Sequence, residues 1–241
     1  MPALTLALIW VPAAVSVVWV AFFLEGGWER SFTATLWVTV AVSSILYAAI
    51  ASRSLVLRDL VVLFYPYMFW MAVAALIWEH AEPDSVKQAS ESMDPWFWSH
   101  IVTAVLTYSL LTISAVVALG VILKEQALKR KSPGLLSQRL PAVMEAEALQ
   151  HRLLLVAEVV LALGLMTGMG AQYWQTGSLF VADHKTLLSL FSFIIIGLLL
   201  FAGYKFGIRG RRASQTLLLA YLLVSLAYPG VKFVSEILMR R

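Results

Sequence analysis

Long runs of apolar residues, separated by short polar connections, extend along the whole chain. A helix of about 20 mostly apolar residues can cross a bilayer, because a helix satisfies its own backbone hydrogen bonds in lipid. The pattern predicts an all-α, polytopic membrane helix bundle of about seven transmembrane helices, which forms a single membrane domain over residues 1–241. The predicted spans cover residues 3–24, 31–51, 60–78, 100–123, 152–174, 186–206 and 215–238.

The charged residues of the loops predict the orientation of these helices. Lys and Arg are concentrated in loops 52–58, 124–152 and 207–214, whereas loop 79–99 is mostly acidic and loop 175–185 is nearly uncharged. Basic loops are retained in the cytoplasm during insertion, so the first three loops are predicted to face inward and the other two outward. This is the arrangement of a multi-pass membrane protein.

The composition agrees with a membrane protein and excludes several kinds of chemistry. Hydrophobic residues make up 61% of the chain and charged residues 13%, against about 45–50% and about 25% in soluble domains. The chain contains no cysteine, which excludes disulfides, thiolate metal sites and covalent haem attachment. The net charge of +4 is small for this length, and the basic residues are placed in the loops as expected for membrane orientation. We therefore expect no nucleic-acid partner. No catalytic triad, P-loop or dinucleotide motif is present, so the case for an enzyme acting alone is weak.

Three of the four histidines fall at the predicted outer face. His80 ends the third span, His100 opens the fourth and His184 opens the sixth, whereas His151 lies on the cytoplasmic side. Residues within one helical turn of the same membrane face share a depth to within ~5 Å. Two outer imidazoles, at His100 and His184, could therefore ligate the iron of one haem.

Tryptophans accompany these histidines and allow two interpretations. Trp96 and Trp98 precede His100, and Trp174 ends the fifth span. Indole rings suit the face of a porphyrin, but aromatic residues at a membrane interface are also typical of an aromatic belt. The histidines are then either haem ligands or ordinary interfacial residues.

Other polar and small residues in the predicted spans are secondary candidates. Glu158 lies inside the fifth span, where a carboxylate costs about 3 kcal/mol unless it is paired or hydrated, so it is either functional or a protonated structural residue. Gly164 and Gly168 have the GxxxG spacing of close helix packing. Lys232 and Glu236 are one turn apart, and Lys232 either forms an ion pair there or meets a ligand carboxylate.

Four stretches carry a resemblance to a known family. They are, in order, WFWSHIVTAVLTYSLL, LPAVMEAEALQHRLLLVAEVV, DHKTLLSLFSFIIIGLLLFAGYKFGIRGRRA and AYPGVKFVSEIL. They resemble the cytochrome c assembly family, in particular the branch of YpjD and HemX, whose relatives CcsA and CcmC handle haem. The resemblance covers residues 94–241, and the helices within residues 1–80 match only as hydrophobic segments.

The resemblance implies roles for particular residues. His100 has the position of an outer histidine that serves CcsA-type proteins as an axial haem ligand, and His184 lies in Asp-His-Lys-Thr where those proteins have Asp-Pro-Lys-Glu. Arg152 matches a family arginine at the start of the fifth span. A family turn, Gly-Trp-Arg-Gly-Arg, is matched by Gly207, Arg209, Gly210 and Arg211, with Ile208 in place of the Trp.

The same resemblance predicts haem binding more strongly than haem transfer. The tryptophan-rich segment of CcsA and CcmC is reduced, and a second outer histidine after GVKF is missing. We therefore expect a haem-handling protein that uses His100 and His184 as ligands, works with cytochrome c maturation or haem-synthesis proteins, and contacts membrane lipid. Trp96, Trp98 and Trp174 would line the porphyrin, and Lys185 or Lys232 would meet a propionate. The alternative is a non-catalytic regulator or scaffold of tetrapyrrole biosynthesis that acts through its cytoplasmic loops, mainly 124–151.

Overall fold

The computed structural model describes residues 2–25, 31–79, 95–131, 134–178 and 184–226, and in these ranges it contains helices and no strands. The helices are α1 (Pro2–Phe23), α2 (Phe32–Ala51), α3 (Leu55–Asp59), α4 (Val61–Glu79), α5 (Pro95–Lys129), α6 (Leu135–Arg139), α7 (Val143–Thr176), α8 (His184–Phe206) and α9 (Gly210–Ser225). Six of the described helices, α1, α2, α4, α5, α7 and α8, are long and apolar enough to cross a membrane. The predicted seventh span begins within α9 and continues outside the described residues. The all-α bundle of about seven spans is confirmed.

Two helices are much longer than the spans predicted for them. Helix α5 has 35 residues and α7 has 34, and at 1.5 Å per residue each is about 50 Å long, against about 30 Å of hydrocarbon. The apolar pattern marked only the part inside the bilayer, because the ends of both helices carry polar and aromatic residues. The extra turns lie mainly at the ends of α5 and α7 that are predicted to face the cytoplasm, residues 124–129 and 143–151.

Helix α5 occupies the centre of the bundle. It packs most extensively against α7, then against α9 and α2, and its residues between Val105 and Ile122 are almost all buried. Helix α1 packs on α2, and α8 packs on α9 and α7. The helices at the periphery of the bundle expose large apolar side chains such as Val18, Trp70 and Leu198. Lipid tails solvate such side chains as well as the protein interior does, so these faces fit a bilayer.

Hydroxyl groups join α5 to its neighbours inside this apolar core. The Oγ atoms of Ser43 and Ser109 are 3.0 Å apart across α2 and α5. The hydroxyl of Tyr221 on α9 lies 3.0 Å from Oγ1 of Thr112 and 3.2 Å from the hydroxyl of Tyr108. Hydrogen bonds between membrane helices contribute roughly 0.6 kcal/mol each, so they position α5 more than they stabilise the fold.

Candidate functional site

The start of α5 and the end of α7, which are predicted to lie at the outer face, meet along glycines of α7. A β-carbon at Gly168 would lie 3.0 Å from both Cε1 and Nδ1 of His100, and one at Gly170 would lie 2.8 Å from Cε3 of Trp96. Both distances are shorter than ordinary van der Waals contact. The GxxxG spacing therefore serves helix packing, as predicted, and the side chain that the packing accommodates at Gly168 is the imidazole of His100.

The contacts of the His100 ring define its tautomer. The ring is partly buried, and Nδ1 lies 3.0 Å from the carbonyl oxygen of Gly164. A carbonyl only accepts hydrogen bonds, so Nδ1 carries the proton and donates it. In the neutral ring Nε2 then keeps its lone pair, and within the described part of the chain it has no hydrogen-bond partner. Metal-binding histidines commonly have this arrangement, in which the second ring nitrogen donates to a backbone carbonyl.

Two threonines fix the register of α5 against α7 beneath the histidine. The Oγ1 atoms of Thr103 and Thr167 lie 3.2 Å apart, and Thr167 also donates to the carbonyl of Gly164 at 3.1 Å. Thr103 is about one turn from His100, so the contact between the two threonines joins α5 to α7 directly below the ring. The orientation of His100 is therefore supported from α7 by both the glycines and the threonine pair.

The three tryptophans predicted to line a ligand do not share one surface. Trp96 is one turn from His100 on the same face of α5, and its ring packs over Gly170. Trp174 is one turn beyond Gly170 on the same face of α7 and is 71% exposed. Trp98 is two residues from both Trp96 and His100, which puts it on the opposite side of α5, where it is 42% exposed. Trp96 and His100 are brought together, Trp174 is one turn away, and Trp98 faces elsewhere.

The other predicted ligand-binding residues fall at or beyond the edge of the described residues. Helix α8 begins at His184, but the side chains of His184 and Lys185 lie outside the described residues, as do all of Lys232 and His80. The depth of the His184 backbone follows from a contact farther along the helix. A β-carbon at Gly197 of α8 would lie 3.1 Å from Oε1 of Glu158 on α7.

That contact sets α8 against α7, which runs antiparallel to it. Counting outward along both helices from Glu158 and Gly197 places His184 opposite residue 171 of α7. His100 packs at residue 168, so the backbone of His184 starts about 5 Å farther out, at 1.5 Å per residue. The two histidines that were predicted to share a depth therefore start within about one helical turn of each other.

Glu158 is a separate feature from this outer site. It lies ten residues from Gly168 along α7, which is about 15 Å deeper in the bundle. Its Oε2 atom is buried and has no hydrogen-bond partner, and no ion pair involves this carboxyl among the described residues. A carboxyl group without a partner at this depth is expected to be neutral.

A second cluster of functional groups lies at the opposite end of the bundle, on the predicted cytoplasmic side. A pocket of about 410 Å³ opens between α7, α8 and α9, and its polar lining includes Gln150, His151, Arg152 and Arg209. The loop charges of these basic residues predicted the orientation of the helices, and no pocket was predicted at this end of the bundle. Arg152 and Arg209 lie far apart in the sequence, but both match positions of the family that the chain resembles. These matches were the feature of the sequence that could have pointed to this pocket.

Acidic and histidine side chains do not form a conventional metal site in the described part of the chain. No group of three or more His, Asp or Glu residues that could hold a metal ion is found there. Haem iron needs fewer ligands from the protein, because the porphyrin supplies four nitrogen ligands and the protein supplies only one or two axial ligands. The glycine-backed imidazole of His100, with its Nε2 lone pair available, fits one such axial ligand.

Comparisons with known proteins identify relatives of this chain. It is 42% identical to an uncharacterized 28.8 kDa protein in the nifR3-like 5' region of Azospirillum brasilense, over 92% of this chain and 81% of that protein. Protein HemX of Brevibacillus brevis is 26% identical over 55% of this chain and 48% of its own length. Inner membrane protein YpjD of Escherichia coli (strain K12) is 27% identical over 60% of this chain and 54% of its own length. No solved structure matches the chain significantly.

A family model extends this similarity over most of the chain. The model, described as cytochrome C assembly protein, matches residues 25–239. The match includes α2 and α4, which the sequence alone identified only as hydrophobic helices. It also includes the outer cluster around His100 and the pocket at the opposite end. The predicted resemblance is confirmed: the chain is a multi-pass membrane protein and belongs to the cytochrome c assembly protein family.

Proposed function

We propose that this protein holds haem at the outer face of a bacterial inner membrane, with His100 as an axial ligand of the iron. One observation carries the proposal: Gly164 and Gly168 hold the imidazole so that Nδ1 donates to a carbonyl and Nε2 remains available. A histidine that served only as an interfacial residue would not require a glycine beneath its ring. Membership in the cytochrome c assembly family supports a role in haem handling.

The second axial ligand in this proposal is His184. Its backbone lies about one helical turn farther out than the level of His100, a difference that a side chain can span. Haem supplies an iron with two axial positions, and two imidazoles that fill both favour holding haem over reaction with oxygen. The protein would then act as a haem-holding component that works with other cytochrome c maturation or haem-synthesis proteins.

The remaining residues of the proposed site bind the porphyrin edges and faces. Trp96 lies on the side of α5 that carries His100, so it is better placed to cover a porphyrin than Trp98. Trp174 lies one turn beyond Gly170, the glycine over which Trp96 packs. Lys185 directly follows His184 and would pair with a propionate, and Lys232 is a second candidate for the same role. Burial against indole rings excludes water from the iron and strengthens binding of an apolar ring system.

A regulatory role remains a second candidate, and one observation favours it. The side chain of Lys124 donates hydrogen bonds to the carbonyls of Ser137 and Leu140, at 2.8 and 2.9 Å, and so fastens the segment around α6 to the end of α5. This part of loop 124–151 thus has a defined surface that a protein partner could bind. Haem would then be incidental to the function.

Substitution of the histidines tests the haem proposal. We expect His100→Ala to lower haem occupancy and to shift the absorption spectrum of the haem-loaded protein away from the six-coordinate low-spin form, because alanine offers no ligand. His184→Ala should have the same effect if His184 is the opposite ligand. His151→Ala is the matched control, since this histidine lies at the other membrane face. Equal haem occupancy in all three variants, or none in the wild type supplied with haem, would favour the regulatory role.

A further inference from the structure

The pocket at the predicted cytoplasmic ends of α7, α8 and α9 has no part in the outer haem site. Its walls come from the start of α7, the end of α8 and the turn that leads into α9. Gly207 and Gly210 make that turn with φ of 64° and 70°, a left-handed conformation that glycine adopts without strain. The turn directs Arg209 toward α7, so that Arg209 and Arg152 line the same pocket.

The positive charges of this pocket are available for a ligand. Arg152 and Arg209 are both exposed, and within the described ranges neither forms an ion pair with a carboxylate. One acidic residue, Glu147, also lines the pocket, but it accepts a hydrogen bond from the backbone of Gly210 at the start of α9. Glu125 accepts from the next backbone N–H in the same way, at 3.2 Å. The two carboxylates therefore satisfy the helix terminus. Glu147 also interacts electrostatically with Arg209, so Arg209 is shared between this carboxylate and the pocket, whereas Arg152 is left to the pocket.

A buried amide adds a neutral donor to these charges. Gln150 is only 5% exposed, and its Oε1 accepts a hydrogen bond of 3.0 Å from Oγ of Ser214. This contact assigns the other end of the amide, the NH₂ group, to the pocket, and no residue of the described chain accepts a hydrogen bond from it. The NH₂ group is not among the fully buried, unpartnered atoms of the described residues. It is therefore open to the pocket, where an acceptor supplied by a ligand would replace water.

Apart from His151, the remaining lining of the pocket is mostly apolar. Leu154, Leu199, Leu200 and Tyr204 contribute to the wall, and Tyr204 is 90% exposed at the surface of the bundle. A ligand that fits both halves of the pocket carries an anionic group at one end and an apolar part at the other. Basic pockets between membrane helices on the cytoplasmic side are typical binding sites for anionic lipid headgroups.

We propose that this pocket binds the phosphate group of an anionic lipid. Arg152 and Arg209 pair with the phosphate oxygens, because the planar guanidinium group matches phosphate in a bidentate geometry. The amide nitrogen of Gln150 donates to a further oxygen. The acyl chains follow the leucine wall of α8 into the bilayer. Such a lipid would tie the ends of α7, α8 and α9 together at the membrane face opposite His100.

The test uses the purified full-length chain in a neutral detergent and three probes. These are dioctanoyl phosphatidylglycerol, dioctanoyl phosphatidylcholine and inorganic phosphate. Binding is measured as a dissociation constant by titration and as a shift in the thermal unfolding midpoint. We expect saturable binding of phosphatidylglycerol, at least tenfold weaker binding of phosphatidylcholine, and a positive midpoint shift with phosphatidylglycerol alone. Saturable binding of inorganic phosphate with equal affinity would keep the anion site but identify free phosphate as its source.

Variants locate the binding in this pocket. Arg152→Gln and Arg209→Gln should each weaken phosphatidylglycerol binding about fivefold, the usual contribution of one basic residue near a lipid headgroup. Arg212→Gln is the matched control, because Arg212 is an exposed arginine of α9 that does not line the pocket. Gln150→Glu keeps the oxygen that accepts from Ser214 and adds a negative charge to the pocket. It should therefore weaken phosphatidylglycerol binding while both arginines stay in place. This variant tests the proposal if the arginine variants do not fold.

Two results would overturn the proposal. The first is equal affinity for phosphatidylglycerol and phosphatidylcholine, or no saturable binding of any probe. The second is loss of affinity in Arg212→Gln as large as in the two pocket variants, which would indicate attraction to the general positive charge of this face.

Discussion

Substitution of Gly168 by alanine provides the sharpest test of how His100 is positioned. The new β-carbon would lie 3.0 Å from Cε1 and Nδ1 of the imidazole, against about 3.5–4.0 Å for an ordinary carbon contact. The ring must therefore move by roughly 0.5 Å or more. The hydrogen bond from Nδ1 to the carbonyl of Gly164, now 3.0 Å, would lengthen beyond useful range.

The size of the effect follows from these two losses. Forcing an extra methyl group into a packed contact costs typically about 1–3 kcal/mol of stability, and the hydrogen bond contributes about 0.5–1.5 kcal/mol. Loss of the partner that orients a metal-binding histidine usually lowers metal affinity about 10–100-fold. We expect Gly168→Ala to lower the free energy of unfolding by about 2 kcal/mol and the haem affinity by about tenfold or more.

Gly164→Ala is the matched control from the same GxxxG motif. A β-carbon at Gly164 would lie 3.5 Å from Oγ1 of Thr103, which is an ordinary contact. We therefore expect no loss of stability, and a gain of up to about 1 kcal/mol, because alanine favours a helix interior more than glycine does. The assays are denaturant unfolding of the purified protein in detergent and haem titration followed by absorption.

A double-mutant cycle shows whether the imidazole is the group that clashes. In a His100→Ala background the β-carbon at residue 168 would meet no ring, so Gly168→Ala should cost much less stability there than in the wild type. Equal effects of Gly164→Ala and Gly168→Ala, or the same cost of Gly168→Ala in both backgrounds, would refute the inference that this glycine exists to accommodate His100.

Two further predictions concern the membrane. A reporter that is active only outside the cytoplasm should be silent when it is fused near Gly134 and active when fused near Ser90, because basic loops are retained inside; the reverse pattern would exchange the two faces assigned to His100 and Arg209. Glu158→Gln should preserve expression and the unfolding midpoint, since the amide resembles the neutral carboxyl group expected at that depth. A collapse of expression in that variant would indicate an ionic partner outside the described residues.

The membrane-spanning helices and the family could be predicted from the sequence, because each depends on properties that run along the chain, whereas the orientation stays a prediction. Apolar length marks a helix that crosses a bilayer whatever its neighbours are. Loop charge orients it during insertion. The position of His100 at the outer end of its helix followed from the same two properties, as did the close packing expected at Gly164 and Gly168.

The central position of α5 and the contacts of His100 could not be predicted in this way. In a bilayer both the lipid-facing and the buried sides of a helix are apolar, so hydropathy does not reveal which helix lies at the centre. The contact of His100 with Gly164 and Gly168 depends on the register of α5 against α7. The pocket of Arg152 and Arg209 depends on the meeting of three helix ends. The His100 contact and the arginine pocket each join residues that are far apart in the sequence. Only the packing of the helices in three dimensions brings such residues together.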